Sequence, residues 1–327
     1  MAQVPAPRPV QQPLAGTVGS RLARAQRGIK RTPRRIFLFG DGGLGKTTLA
    51  ATSSRPIFVD INQGSNGFDV ARYAFDDAGR TRPQTFEELL GAVRDIAQNG
   101  KADFDTVVID VLSDVEQLVF AEVVRKDGKA KNITDGNLGF NKGYQAAVDE
   151  WRRLVMELEA CRAAGLHVIL VDHFDVKKEK NPDGADYGRA MPKIDPLAAK
   201  FLHTWSDFTF FLEVDKVLVP DNPDDRKAKK QFAQSDGTRI LHARPAAEYL
   251  AKSRPELADP ITLPKTGGFA AILRAIIEAR IPQLPTDKVE PVRAKVAEAG
   301  DDVALLEEID ARCAELAGTP ASTAAAA

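Results

Sequence analysis

Cysteine is nearly absent: the 327 residues hold two, Cys161 and Cys313. They lie far apart, in helical contexts, and form neither a metal-ligand spacing nor a redox pair. A disulfide framework is thereby excluded, and the usage suits a reducing compartment. Long apolar runs are absent as well, and none approaches the length of a membrane span. The N-terminus lacks the apolar core of a signal peptide. A cytoplasmic protein with no membrane contact is the expectation. Excess charge of one sign is also missing, since 45 Lys and Arg against 46 Asp and Glu leave a formal net charge of −1. Bulk charge therefore does not recruit nucleic acid, and any such binding must rest on a local basic patch. No internal repeat is present. What remains is 43% apolar, ordinary for a globular chain, and long enough for one large α/β domain with or without a small appendage.

The most informative segment is Gly40-Asp41-Gly42-Gly43-Leu44-Gly45-Lys46-Thr47. It is a complete G-x-x-x-x-G-K-[ST] phosphate loop. The apolar run Ile36-Phe37-Leu38-Phe39 in front reads as a buried strand, and Thr48-Leu49-Ala50-Ala51 behind it can open a helix. Glycines let successive backbone N–H groups turn toward one anion, and a helix N-terminus adds partial positive charge. Residues Gly40 to Thr48 are the expected nucleotide contacts. Within them Lys46 reaches the β- and γ-phosphates, and the Thr47 hydroxyl holds Mg²⁺. ATP and Mg²⁺ are the expected ligands. A glycine-rich turn that merely resembles the motif is the weaker alternative.

Around this loop the pattern alternates. Strands are expected at 36–39, 56–60, 106–110 and 168–172, then at 208–214, 216–219 and 238–243. Helices are expected at 85–98, 113–125 and 144–164. Short apolar strands separated by helices predict a mainly parallel sheet covered on both faces. A charged turn at 221–230 suggests a late antiparallel hairpin at the sheet's far edge. Residues 1–33 read as a basic arm, disordered at least over its first twenty residues. The nucleotide-binding domain is expected over 34–281. Pro282, Pro285 and Pro291 close it, and 282–318 follows as a helical segment with helices at 292–299 and 303–316. Residues 319–327 are a low-complexity tail.

A phosphate loop needs a carboxylate for its metal and a group that acts on water. Asp110 ends the apolar run Asp105-Thr106-Val107-Val108-Ile109-Asp110 and is the expected partner of Thr47 in holding Mg²⁺. A bare helix cap for the segment after it is the alternative. The run from Leu166 ends in Asp172-His173. His173 is placed to sense the γ-phosphate and signal to the loop that follows, with a surface histidine as the competing reading.

The phosphate loop, the strand Pro56-Ile57-Phe58-Val59-Asp60, the run Asp105 to Asp110 and the run Gly165 to His173, in this order and spacing, resemble the RecA-like ATPases. Specifically, they resemble the AAA-type ATP-binding proteins of phages and prophages that act in single-strand annealing and recombination. The resemblance runs from about residue 35 to 280. It implies an α/β fold, a RecA-like P-loop NTPase core, with late antiparallel strands and a small C-terminal helical segment. It implies a catalytic glutamate just past the second strand, where this chain has Asp60-Ile61-Asn62. Asn62 stands at the glutamate's position, and an amide orients water but does not take its proton. Hydrolysis is then slow, or Asp60 substitutes, or the register is shifted by one. The resemblance also implies a Lys-x-Arg pair donated into a neighbouring subunit's site. Lys252-Ser253-Arg254 has that spacing, which would make a homo-oligomer the active form. A solvated basic turn before Pro255 is an equal reading.

Two basic, glycine-containing segments, 126–142 and 174–194, fall where RecA-like recombinases hold single-stranded DNA. Phe140, Phe174 and Tyr187 could add stacking. Acids at Asp127, Asp135, Asp175, Glu179, Asp183 and Asp186 dilute the charge, and solvated loops explain the lysines equally well. Three functions follow. The first is an ATPase of DNA recombination or repair that loads on single-stranded DNA as an oligomer. The second is a nucleotide-dependent structural or regulatory switch with little turnover. The third, a small-molecule kinase, lacks a lid and an arginine-rich acceptor site.

Overall fold

The computed structural model describes residues 32–181, 184–220 and 231–318. The basic arm up to residue 31, the charged turn 221–230, Asp183 and the tail 319–327 lie outside the described residues. The first strand, β1 (Arg35–Gly40), has its apolar residues fully enclosed because it lies between β5 (His167–Glu179) and β7 (Phe208–Val214), both parallel to it. Beyond β5 come β4 (Thr106–Asp110), β2 (Pro56–Asp60) and the two-residue β3 (Ala71–Arg72), all parallel. Beyond β7 the sheet turns antiparallel through β10 (Arg239–His242) and β11 (Ile261–Leu263). A strand β6 (Tyr187–Pro192) returns antiparallel along the far half of β5.

Alternate side chains of a strand face opposite sides of a sheet, and here each side has its own core. Ile36, Leu38, Val108, Ile169, Phe210 and Leu212 face α1 (Lys46–Ala51), α6 (Phe269–Arg280), α7 (Thr286–Ala299) and α8 (Val303–Gly318). Phe37, Val59, Val107, Ile109, Val168 and Leu170 face α2 (Phe86–Asn99), α3 (Leu112–Asp127), α4 (Lys142–Ala163) and α5 (Pro196–Trp205). Each fully buried Leu, Ile or Phe contributes about 1.5–3 kcal/mol. Two stacked cores of this size make the parallel strands the rigid base of the molecule. The mostly parallel, helix-flanked sheet with late antiparallel strands is the architecture expected of a RecA-like core.

Several details differ from the sequence expectation. The strand at 168–172 does not stop at Asp172. Instead of leading into a long loop over 174–194, it continues as β5 to Glu179 and pairs with β6 as a hairpin. Beyond Phe174, which packs against Phe211, the residues are mostly polar and carry little burial signal, so pairing with β6 extends the strand. The late hairpin, β8 (Val217–Pro220) with β9 (Gln231–Gln234), forms its own two-stranded sheet, and the far edge is taken by β10 and β11. Helix α7 starts before Pro291 and contains it. One backbone bond is lost there, while Val292, Val296 and Ala299 anchor the helix in the core. Leu306, Ile309 and Cys313 of α8 bury in the same core, so both C-terminal helices dock on the sheet.

Candidate functional site

Register brings the chemistry to one edge. Gly40 lies level with His173 on one side and Leu212 on the other, at the carboxyl ends of the parallel strands. A Cβ on Gly40 would stand 2.2 Å from the Leu212 carbonyl oxygen, so only glycine lets the chain leave β1 this close to β7. The loop then turns through left-handed Gly43 and Gly45, with φ 77° and 80°. Asp41 is exposed, and its Oδ1 accepts from the Gly42 N–H at 2.7 Å. Gly42 and Gly43 are exposed, with open space where a side chain would be. Thr48, in the first turn of α1, is half-buried.

Lys46 is buried, and its Nζ donates to the Gly40 and Asp41 carbonyls at 2.9 and 2.7 Å. Burial lowers its pKa against the raising fields of Asp110, Asp172 and Asp41. The ammonium is thus held at the centre of the loop, 3.5 Å from His173 Nδ1. His173 is depressed in turn, by burial and by the Lys46 cation. Its backbone carbonyl accepts from the Lys193 N–H at 2.9 Å, so one residue touches both the loop lysine and the base of the β5–β6 hairpin.

Thr47 Oγ1 donates to Asp110 Oδ2 at 2.7 Å. Asp110 is 1% exposed, and its Oδ1 has no hydrogen-bond partner among the described residues. Burial pushes the carboxyl up to about 6, opposed by the Thr47 bond and reinforced by the nearby charge of Asp60. A hydroxyl beside a buried carboxylate with an acceptor to spare fits a hard divalent cation that takes its remaining ligands from phosphate and water. Among the described residues no cluster of three or more His, Cys, Asp or Glu could hold a metal unaided, so the nucleotide would have to complete the shell.

The residues expected to act on water are placed less favourably. Asn62 is exposed, and its Oδ1 accepts from the Gly64 N–H at 2.9 Å, closing a local turn. Asp60 is fully buried and accepts from the N–H groups of Gly64 and Ser65 and from the Ser65 hydroxyl. Both residues shape the loop after β2. Asp114, half-buried in the first turn of α3, lies in the electrostatic field of both Asp110 and His173. Its only sequence signal is its position four residues after Asp110.

Lys252 is engaged within the chain. Its Nζ donates to the His203 and Thr204 carbonyls at the end of α5, at 2.5 and 3.2 Å, and its backbone pairs with Thr209. Burial and the Arg254 cation lower its pKa to about 8. Arg254 is exposed. The two residues of the motif are therefore split between an intrachain cap and solvent.

The basic segments are also partly used up within the chain. In the hairpin, Lys177 donates to the Lys193 and Ile194 carbonyls, Lys178 pairs with Asp186 at 2.9 Å, and Arg189 donates to the Ala246 and Tyr249 carbonyls. Phe174 is not a free stacking platform, because it packs edge-on against Phe211 with centroids 5.7 Å apart. Tyr187 is 37% exposed, and Phe140 is fully exposed at a left-handed φ of 52°. In the segment between α3 and α4, Lys126 pairs with Glu150 at 2.6 Å, while Lys129, Lys131 and Lys142 are exposed.

Two buried charges of the site carried little sequence signal. Asp172 accepts from the Ser113 and Ile194 N–H groups at 3.0 and 3.2 Å, tying the start of α3 to the hairpin base. Burial raises it to about 6. Arg239 approaches the phosphate loop from β10, donating to the Leu44 carbonyl at 3.0 Å. A lone arginine inside the apolar strand Arg239-Ile240-Leu241 was the available sign.

Comparison with known proteins matches this geometry to a family. The model of the AAA domain matches residues 32–255. Among solved structures, the chain is similar to the KaiC-like protein PH0186 of the hyperthermophilic archaeon Pyrococcus horikoshii OT3, at 12% identity and a TM-score of 0.32, over 64% of this chain and 86% of that one. It is also similar to the RadB recombinase, at 14% identity and a TM-score of 0.33, over 67% and 86%. Among curated proteins nothing matches. With the family match spanning about two thirds of its residues, and Lys46, Thr47 and Asp110 converging on one loop, the chain belongs to the AAA domain family of P-loop ATPases.

Proposed function

We propose that the chain binds MgATP at the 40–48 loop and uses it, as a homo-oligomer, in phage-type DNA recombination or repair on single-stranded DNA. The observation that carries the nucleotide reading is the Thr47–Asp110 pair at 2.7 Å with Asp110 Oδ1 left over, beside a buried Lys46. In this reading Lys46 holds the β- and γ-phosphates, the loop amides cradle the same oxygens, and Thr47 and Asp110 hold Mg²⁺. The cation, when bound, would neutralise charge on the phosphates. Asp114 is the carboxylate assigned to orient the attacking water, since Asn62 and Asp60 are engaged in their own turn. His173 passes the nucleotide state to the hairpin. Exposed Lys129, Lys131 and Lys142, with Phe140 and Tyr187, supply the DNA contacts, and Arg254 is the residue free to reach a neighbouring site.

The commitment of Asn62 and Asp60 to local bonds favours a second reading, an ATP-binding switch with little turnover. Phosphate release with and without single-stranded DNA separates the two, with Lys46→Ala as the blank. DNA-stimulated turnover lost in Asp114→Asn supports the first. Absent turnover in the wild type, gained in Asn62→Glu, supports the second. ATP binding unchanged in Lys46→Ala would overturn both.

A further inference from the structure

Arg239 is 8% exposed and sits on β10, remote in sequence from the phosphate loop. Its Nη1 donates to the Leu44 carbonyl at 3.0 Å, and its Nη2 donates to the Pro264 and Gly267 carbonyls. Its Nε has no partner among the described residues. Every partner of the guanidinium is a neutral carbonyl. Burial alone acts on its pKa, lowering it, and no carboxylate among the described residues offsets the charge. A buried guanidinium is ordinarily paired with an acid, so this one has been placed at some cost in stability.

We infer that Arg239 is a positioning residue of the phosphate loop, fixing the Leu44–Gly45 peptide so that its N–H faces the nucleotide phosphates. The warrant is peptide geometry. In a trans peptide the C=O and the following N–H point in opposite directions. Pinning the Leu44 oxygen to Arg239, behind the loop, turns the Gly45 N–H to the other side. Gly45 holds its half of the arrangement with φ 80°, and a Cβ there would stand 2.8 Å from Arg239 Nη1. Bonds to Pro264 and Gly267 tie the same guanidinium to the turn before α6, whose first N–H, that of Phe269, donates to Thr52 Oγ1 at 3.3 Å, just past α1. Loop, α1 and turn are thus fastened at one point, and the unoffset charge adds to that of Lys46 in attracting phosphate.

The inference rests on the nucleotide-binding reading, and its test separates the two. Binding of MgATP and of inorganic triphosphate is measured for wild type, Lys46→Ala, Arg239→Lys and Arg239→Met, beside thermal melting. Arg239→Met is expected to weaken both ligands at least about tenfold, or ~1.4 kcal/mol. Arg239→Lys, which keeps the charge but not the fork, is expected to fall between it and wild type. A purely structural residue would shift melting and leave both affinities of the folded protein within about twofold, and that result overturns the inference. Should Arg239→Met not fold, Arg239→Lys decides by the same criterion. If wild type binds neither ligand, the nucleotide reading fails. Amide exchange then decides for Arg239: faster exchange at Leu49, Thr52 and Ser53 with β4 unchanged supports the fastening, and equal exchange refutes it.

Discussion

The two ends of the parallel sheet treat buried charge in opposite ways. At the amino ends, Arg34 is enclosed with Glu307 at 2.6 Å and Asp310 at 2.5 Å, and Arg35 pairs with Asp207 at 2.6 Å. Burial lowers the Arg34 pKa, but the two carboxylates outweigh it and the net direction is up. At the carboxyl ends, Asp110 keeps an unpartnered oxygen, Lys46 and Arg239 donate to neutral carbonyls, and Asp110 and Asp172 are both raised to about 6. The first arrangement holds α8 to the core. The second leaves Lys46 and Arg239 without a carboxylate in bonding distance among the described residues. Perturbed groups gathered in one place are the mark of a functional site, and paired ones mark structure.

Four measurements test this contrast. The largest effect is expected at the structural end. Arg34→Met leaves Arg280, 2.7 Å from Asp310, as the remaining arginine against two carboxylates, and should cost about 3–5 kcal/mol in urea unfolding. ATP affinity of the folded fraction should be unchanged, and a parallel loss of affinity would erase the distinction. Next, Lys46→Ala should weaken ATP binding about 100-fold, close to 3 kcal/mol, with little change in melting temperature.

Asp110→Asn should separate stability from function. The folded state holds the Asp110 proton up to about 6, above the ordinary carboxyl value, so ionisation opposes folding. Wild-type stability should therefore fall as pH rises from about 4 through 6. The amide should stabilise by on the order of 2 kcal/mol at pH 8, with the gain vanishing near pH 4. In the same variant the Mg²⁺ dependence of ATP affinity should disappear. In wild type that dependence should weaken as pH falls through about 6. A stability gain equal at both pH values would show that burial is not what shifts this group. The smallest effect belongs to His173→Ala, expected within about 1 kcal/mol of wild type in stability. A non-hydrolysable ATP analogue should protect the 174–192 hairpin from protease in wild type and not in the variant.

Legibility in the sequence followed burial. Strands β2, β4 and β7 were readable to the residue because apolar runs enclosed on both faces leave a continuous signal. The phosphate loop was readable because its chemistry demands glycine at the left-handed positions 43 and 45. Strands β3, β6 and β11 were not, because β3 has two residues and β6 and β11 lie at edges, where β11 turns just Ile261 and Leu263 into the core. Helices α5 and α6 went unread too, although Asp195 and Pro196 start α5 with a capped N-terminus. At the site, Asp110 ends its strand and His173 follows the apolar half of β5, so both announce themselves. Lys252 matched a spacing, but a lysine can satisfy itself on any exposed carbonyl, and here α5 supplied two.

The loop, its lysine, its threonine, the carboxylate that accepts from that threonine and the parallel core that carries them are each set by a short run of neighbouring residues. That Asn62 and Asp60 are occupied, that Phe174 is packed away, and that Arg239 reaches Leu44 across 195 positions emerges once the chain has folded. Those outcomes depend on which carbonyls and carboxylates remain unsatisfied once the sheet has closed, and no local pattern encodes that balance.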